Sequence, residues 1–235
     1  MSKYKSINNE NPIVGLFSTP LMKIQLDLDL EKLTEFTFQL QDKDKIGDNL
    51  SNRGGWQSTH QQTVEVGEKH QEFIKLKKEI SQQLQIYHST AFRGVEFDNQ
   101  YTRGNELDQT ICSIWANINE KYHYNDWHIH SNVTLSGVFY IKHDGSVENG
   151  NIKFKHPVHH FPYIMNTHFR PGIFKRTNEV TSEIISVLPK PNMLLIFPSW
   201  LEHMVEPNLN NDSRISISFN SIPVSKYETT NWKIK

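Results

Sequence analysis

Arg214-Ile215-Ser216-Ile217-Ser218-Phe219-Asn220 alternates polar and apolar residues at every position. On a β-strand successive side chains point to opposite faces. Arg214, Ser216, Ser218 and Asn220 therefore share one face, and Ile215, Ile217 and Phe219 share the other. The apolar face must pack against a core, while the polar face must look onto water or a ligand. Upstream, Ile111 to Asn119 repeats the pattern, with Trp115, Asn117 and Asn119 opposite Ile114, Ala116 and Ile118. Val133 to Lys142 reads as another strand, and Met193 to Phe197 is an apolar run ended by Pro198. Several short strands separated by turn signals predict a sandwich or a barrel.

The N-terminal part has a different period. Leu16 to Leu26 has strand character, and Pro20 suits an edge. Asp29 is placed to cap a helix carrying Leu30, Leu33, Phe36 and Leu40 on one face. Phe73, Leu76, Ile80, Leu84 and Tyr87 recur at spacings of three and four, which predicts a second helix over roughly residues 68 to 89. Between them Ser51 to Ser58 has the composition of a loop. The expectation is a single domain over 1–235, with helical support mainly in 27–92 and a barrel mainly in 95–222. Residues 156–187 have poor periodicity and contain Pro162 and Pro171. They read as a lid over the barrel mouth or as a plain loop, with His159, His160 and His168 as solvated loop residues.

Composition excludes several function classes. The 235 residues carry 25 Lys+Arg against 26 Asp+Glu, a net charge of -1, which argues against a broad nucleic-acid or membrane-surface footprint. With one cysteine, Cys112, the chain can form neither an internal disulfide nor a Cys-based zinc cluster. Cys112 reads simply as a buried apolar residue. No apolar run approaches membrane-spanning length and none follows Met1 to Lys5, so a soluble, cytoplasmic location is expected. A homodimer is compatible with this composition. The unusual number is 12 histidines, eight of them between His123 and His168, because histidine is the commonest metal ligand.

Within that cluster stands Asp126-Trp127-His128-Ile129-His130. Residues two apart on a strand lie about 6.6 Å from one another on one face. His128 and His130 can thus reach one metal ion, with Asp126 on the same face if the strand extends that far. Downstream, Ser199-Trp200-Leu201-Glu202-His203 runs into the turn-rich Pro207-Asn208-Leu209-Asn210-Asn211-Asp212. A hairpin centred there places His203 nearly opposite Arg214. Arg214, on the polar face of its strand, suits a carboxylate bound in bidentate fashion. Asn117 and Tyr140 are further candidates for contact with a bound acid, or for packing. Asn132 either lines the site or ends a strand pairing. Trp127 and Trp200 read as packing beside the ligands, and Glu202 should point away from them.

Taken with the blocks Ser51-Asn52 to Gln57-Ser58, Trp115-Ala116-Asn117, His128-Ile129-His130-Ser131-Asn132, Leu135 to Tyr140, Phe197 to His203 and Arg214 to Asn220, the chain resembles the 2-oxoglutarate/Fe(II) oxygenases of bacteria and phages. The resemblance runs from about Leu16 to Asn220. It implies a mainly β double-stranded β-helix, a jelly-roll or cupin-like barrel, with N-terminal helices packed on one sheet. It implies Fe(II), 2-oxoglutarate as small-molecule cosubstrate, and O2. The distal carboxylate of the cosubstrate would meet Arg214 and Ser216, with Asn117 and Tyr140 nearby. The implied activity is a dioxygenase that hydroxylates a substrate and releases succinate and CO2, with no catalytic group beyond the metal centre. One departure stands out. The wider superfamily uses H-x-D or H-x-E, and here His130 occupies the carboxylate position. Two ligand sets follow: His128, His130 and His203, or Asp126 with His128 and His203. Zinc or nickel also suits such nitrogen ligands. The alternative readings are a non-catalytic metal- or small-acid-binding module, and a cupin metalloenzyme that uses no oxoacid. Substrate-binding residues are not legible.

Overall fold

The computed structural model describes residues 18–48, 50–91, 107–145, 149–158 and 182–225. His159, His160, His168 and most of the expected lid lie outside the described residues. Among the described residues three helices, α1 (Leu30–Lys43), α2 (His60–Gly67) and α3 (Gln71–Ala91), accompany eleven strands. The strands are β1 (Met22–Gln25), β2 (Asn52–Arg53), β3 (Trp56–Gln57), β4 (Leu107–Asn119), β5 (Tyr124–His128), β6 (Leu135–Lys142), β7 (Ile152–Lys155), β8 (Ile184–Val187), β9 (Met193–Pro198), β10 (His203–Val205) and β11 (Arg214–Ser225).

The strands form two antiparallel sheets. One has the order β1-β9-β6-β11-β4-β3, the other β2-β5-β10-β7-β8. This is the expected double-stranded β-helix, with the N-terminal helices on one sheet. The reason is the alternation in β11 and its neighbour β4. Ile215, Ile217 and Phe219, with Ile114, Ala116 and Ile118, join one core with Leu33, Phe36 and Leu40 of α1 and Phe73, Leu76, Ile80 and Leu84 of α3. Each of these side chains is at most 1% exposed, and burial of a residue of this size is worth about 1.5–3 kcal/mol. A second core lies between the sheets, where Val138, Leu195 and Phe197 meet Ile152 and Phe154.

Local signals place the helices. The Asp29 carboxylate caps α1 by accepting the Lys32 N–H. Buried Glu72 at the start of α3 accepts the Asp29 N–H at 3.0 Å and pairs with Lys75 at 2.9 Å, tying α3 to the cap of α1. The sequence reading needs correction in two places here. The expected loop 51–58 holds the short strands β2 and β3. Helix α2, capped by Thr59, precedes the expected helix, which begins at Gln71 rather than near 68. Only Thr63 and Gly67 of α2 are buried, so it lacks the apolar stripe that marks a helix in sequence.

A third correction concerns His203 and Arg214. They are not hairpin partners. His203 pairs with His128 and Phe154 in the five-stranded sheet, whereas Arg214 pairs with Asn119 in the six-stranded one. The connection crosses from one sheet to the other. Buried Asn208 holds it there, accepting the Tyr122 N–H and donating to the carbonyls of His123, Asn119 and Asp212. The turn residues thus grip the β4–β5 connection instead of closing a hairpin. Among the described residues no helix is long and apolar enough to cross a membrane.

Gly137 on β6 gives the packing a direct test. The ring of Phe219, its partner on β11, covers the place a side chain would take, and a Cβ there would lie 2.3 Å from Phe219 Cζ and 2.6 Å from the Leu195 carbonyl oxygen. Gly137→Ala is expected to destabilise the protein by about 1–3 kcal/mol, read as a lower urea midpoint with an unchanged denaturant slope.

Candidate metal and oxoacid site

The inner faces of the two sheets enclose a cavity, and the polar face of β11 opens into it. Arg214, Ser216 and Ser218 line it from β11, Asn117 from β4, Tyr140 from β6, and His128, His130 and His203 from the other sheet and its margin. Strand register explains the grouping. Asn117 pairs with Ser216, and Ser216 pairs with Tyr140, so the three residues form one rung across β4, β11 and β6. Arg214 lies one pleat further along the same face.

The three histidines converge. Their ligand atoms lie within 4.8 Å of one another, and the His128 and His203 ring centroids are 4.3 Å apart. The cross-strand pair His203–His128 brings two together. His130 lies just beyond the end of β5, where its N–H donates to the Ser199 carbonyl at 2.9 Å and keeps the strand parity. Nδ1 of His128 meets the Asp126 carbonyl oxygen at 2.6 Å, and Nδ1 of His203 meets that of Leu201 at 2.8 Å. With Nδ1–H donating to these oxygens, both rings keep Nε2 as the free ligand atom. Burial depresses the basicity of all three rings, aided by His128 in the case of the other two. His203 falls to about 3 and His130 to about 4, and His128 is lowered. Three neutral imidazoles therefore face one point at pH 7, which is the state that binds a divalent transition metal.

Asp126 is not brought into this group. Its carboxylate pairs with Arg53 at 2.5 Å, both side chains being about half exposed. Glu202 points outward, as expected, and pairs with Lys155. Trp127 and Trp200 do not pack behind the ligands. They are 37% and 52% exposed, Trp127 lying on the wall of an adjoining cavity with the Lys155 ammonium 5.7 Å from its ring centroid. Asn132 does not line the inner cavity. It is an exposed residue at φ 62°, where the chain turns after the metal pair.

Arg214 is the distinctive charge. It is 4% exposed, and its Nη1 donates to the Glu206 carbonyl at 3.0 Å. The Glu206 carboxylate goes to Lys153 instead. No carboxylate pairs with Arg214 among the described residues, and none lines the inner cavity. Burial lowers the guanidinium to about 10, with Tyr140 opposing the shift, so it remains a cation at neutral pH. The Tyr140 hydroxyl and the Asn117 Oδ1 are buried with no hydrogen-bond partner among the described residues. Unsatisfied buried groups are rare in folded proteins and call for a ligand. A carboxylate beside Arg214 and Tyr140 meets that need, so the residues present fit an anionic oxoacid as well as a metal ion.

Residues 113–220 match the model of a family described as "Putative 2OG-Fe(II) oxygenase", a span that contains every residue of this constellation. The barrel of this chain is thus similar to the 2OG-Fe(II) oxygenase family over that span. The family is one of oxidoreductases that draw on Fe(II), 2-oxoglutarate and O2. Among solved structures, a Pseudomonas putida prolyl-4-hydroxylase is similar at 12% identity, with 87% of this chain and 94% of that chain covered and a TM-score of 0.55. A prolyl hydroxylase from Trichoplax adhaerens, in complex with a hypoxia inducible factor peptide fragment, is similar at 13% identity, 86% and 83% coverage and a TM-score of 0.55. The non-heme alpha ketoglutarate dependent carbocyclase SnoK from nogalamycin biosynthesis is similar at 14% identity, 86% and 79% coverage and a TM-score of 0.54. At such identities the likeness is one of fold. No curated protein matches the chain in sequence.

Two features escaped the sequence reading. Ser51 and Gln57 line both the inner cavity and the adjoining one that holds Trp127 and the Arg53–Asp126 pair. The loop-like composition of 51–58 concealed the two strands that place them. The turn behind Arg214 is the other. Its trace in sequence is the dipeptide Asn149-Gly150, a turn signal that says nothing about what lies against it.

The depressed histidines give a pH dependence with a defined sign. In the unfolded chain they titrate near 6.5, and in the folded metal-free protein at lower pH, so the unfolded state binds more protons in between. His143, also lowered by burial, adds in the same direction. Stability of the metal-free protein is thus full above about pH 6.5 and falls as the pH drops toward about 4. Thermal midpoints between pH 7.5 and 5 should fall, and the slope should flatten in the double variant His130→Gln/His203→Gln.

Proposed function

We propose that this protein is an Fe(II)- and 2-oxoglutarate-dependent dioxygenase that hydroxylates a substrate, with release of succinate and CO2. One observation carries the reading: a buried cation without a carboxylate partner shares a single cavity with three neutral histidines. His128, His130 and His203 would hold the metal. Arg214 would take the distal carboxylate of the oxoacid, with Tyr140 donating its hydroxyl proton and Ser216 a further hydrogen bond. Asn117, whose Nδ2 donates to Ser218 Oγ at 3.1 Å, would orient the acid from the neighbouring strand. Bound there, Fe(II) supplies the redox centre for coupling oxoacid decarboxylation to substrate oxidation.

The remaining work falls to the chain itself. Three histidine ligands would leave the metal room to take the oxoacid and O2 as well. Val138, Ile152 and Phe197 supply apolar wall to the same cavity, which keeps water from the ion pair and strengthens it. No side chain of the cavity is needed as a general base, and among the described residues its lining contains no carboxylate to act as one. Asp126 is left as the partner of Arg53 and not as a ligand.

Succinate formation from 2-oxoglutarate, dependent on added Fe(II) and O2, is the expected result with the purified protein. No succinate under any condition, together with no oxoacid binding by calorimetry, would sink the proposal and favour a non-catalytic module. His203→Ala is expected to abolish turnover and metal retention. Arg214→Ala should raise the KM for 2-oxoglutarate roughly 100-fold, because a buried carboxylate loses its cation. Intact activity in that variant would point to a metalloenzyme that uses no oxoacid.

A further inference from the structure

Arg214 is held from behind by a turn that leaves no room for a side chain. Gly150 follows Asn149 at φ 61°. A Cβ on Gly150 would lie 2.7 Å from Arg214 Nη1, 3.5 Å from Arg214 Cδ and 3.2 Å from His143 Nε2. The guanidinium therefore rests against bare backbone. Its Nη1 is also fixed by the Glu206 carbonyl, and Glu206 is bound in turn through its N–H to the carbonyl of Asn151, next to Gly150.

The turn itself is pinned on two sides. The His143 Nδ1 accepts the Gly145 N–H at 2.9 Å, which leaves the proton on Nε2, and Nε2 donates to the Asn149 carbonyl at 2.9 Å. The Asn149 side chain accepts the Leu209 N–H at 2.6 Å. His143 and Asn149 are both buried. A second small cavity lies on this side, lined by His143, Asn149 and Arg214 but by none of the three site histidines. Arg214 is thus the wall between the two cavities, and the turn sets how far it stands back.

We infer that Gly150, held by His143 and Asn149, is a positioning residue that seats the Arg214 guanidinium for the distal carboxylate of the oxoacid. The inference rests on the reading of Arg214 as the anchor. It assigns to Gly150 clearance, not contact: any side chain there displaces the guanidinium and misplaces a bidentate ion pair that depends on geometry.

The test uses the full-length protein loaded with Mn(II), titrated in a calorimeter with 2-oxoglutarate and separately with oxalate. Oxalate offers the metal two oxygens but has no distal carboxylate. Gly150→Ala and Gly150→Asn both add a Cβ, and asparagine tolerates the left-handed backbone that alanine resists. Both variants are expected to lose about tenfold or more in affinity for 2-oxoglutarate, while oxalate and Mn(II) bind as in the wild type. A purely conformational role would spare the asparagine variant, and that result overturns the proposal. So does wild-type 2-oxoglutarate affinity in both variants, or an equal loss for oxalate. Arg214→Ala, run alongside, separates the two readings. Wild-type oxoacid binding in that variant overturns the anchor itself. Loss there with retention in both Gly150 variants overturns the seat alone.

Discussion

A guanidinium buried without a counter-charge is costly, and the architecture is arranged around that cost. Arg214 is 4% exposed and meets only a carbonyl among the described residues. Desolvating a charge is unfavourable until a partner arrives. The free energy to hold it comes from the opposite face of the same strand. Ile215, Ile217 and Phe219 are fully buried against the helices, so the residues that fix Arg214 in place are its alternating neighbours. β11 is central in its sheet, bonded to β4 and β6 on its two edges, and cannot slip register without turning its apolar face into the polar cavity.

The same constraint organises the neighbouring strands. Because β4 and β6 pair with β11 in fixed register, Asn117, Ser216 and Tyr140 must form one rung. The second sheet then needs only to bring its own inward residues across. It does so with short strands, and β10 is three residues long. His203 sits between His128 and Phe154 on its two flanking strands, which buries its ring and holds it neutral.

How much of this was legible in the sequence depends on distance along the chain. The faces of β4 and β11 follow from a period of two, and α1 and α3 from apolar spacings of three and four, because local patterning dictates which side is buried. His128 and His130 were readable for the same reason. Which sheet each strand joins was not. The run Pro207 to Asp212 carries the composition of a hairpin turn, yet Asn208 bonds to the β4–β5 connection some 85 to 89 positions away, and no local signal encodes that. Helix α2 was hidden by its nearly wholly polar surface. The seat of Arg214 was hidden because a glycine chosen for clearance looks the same in sequence as one chosen for a turn.

Charge favours the three histidines over Asp126 as the proposed metal ligands. A carboxylate ligand would neutralise part of a divalent ion and lie in a cavity already holding a cation. Here the inner lining contains no Asp or Glu among the described residues, and Asp126 is committed to Arg53 outside the histidine group. With a divalent metal on three neutral imidazoles, as proposed, and Arg214 nearby, the cavity would carry an excess of positive charge that the described residues do not balance. In a desolvated site that imbalance is large. It would be relieved by one molecule bearing two carboxylates, one for the metal and one for the guanidinium. A neutral ligand would leave both cations bare, and a monoacid would satisfy only one. The substitution of histidine for the usual carboxylate therefore does not weaken the case for a dianionic oxoacid. It makes the oxoacid the main source of negative charge in the site, so metal and cosubstrate are expected to bind with strong mutual dependence.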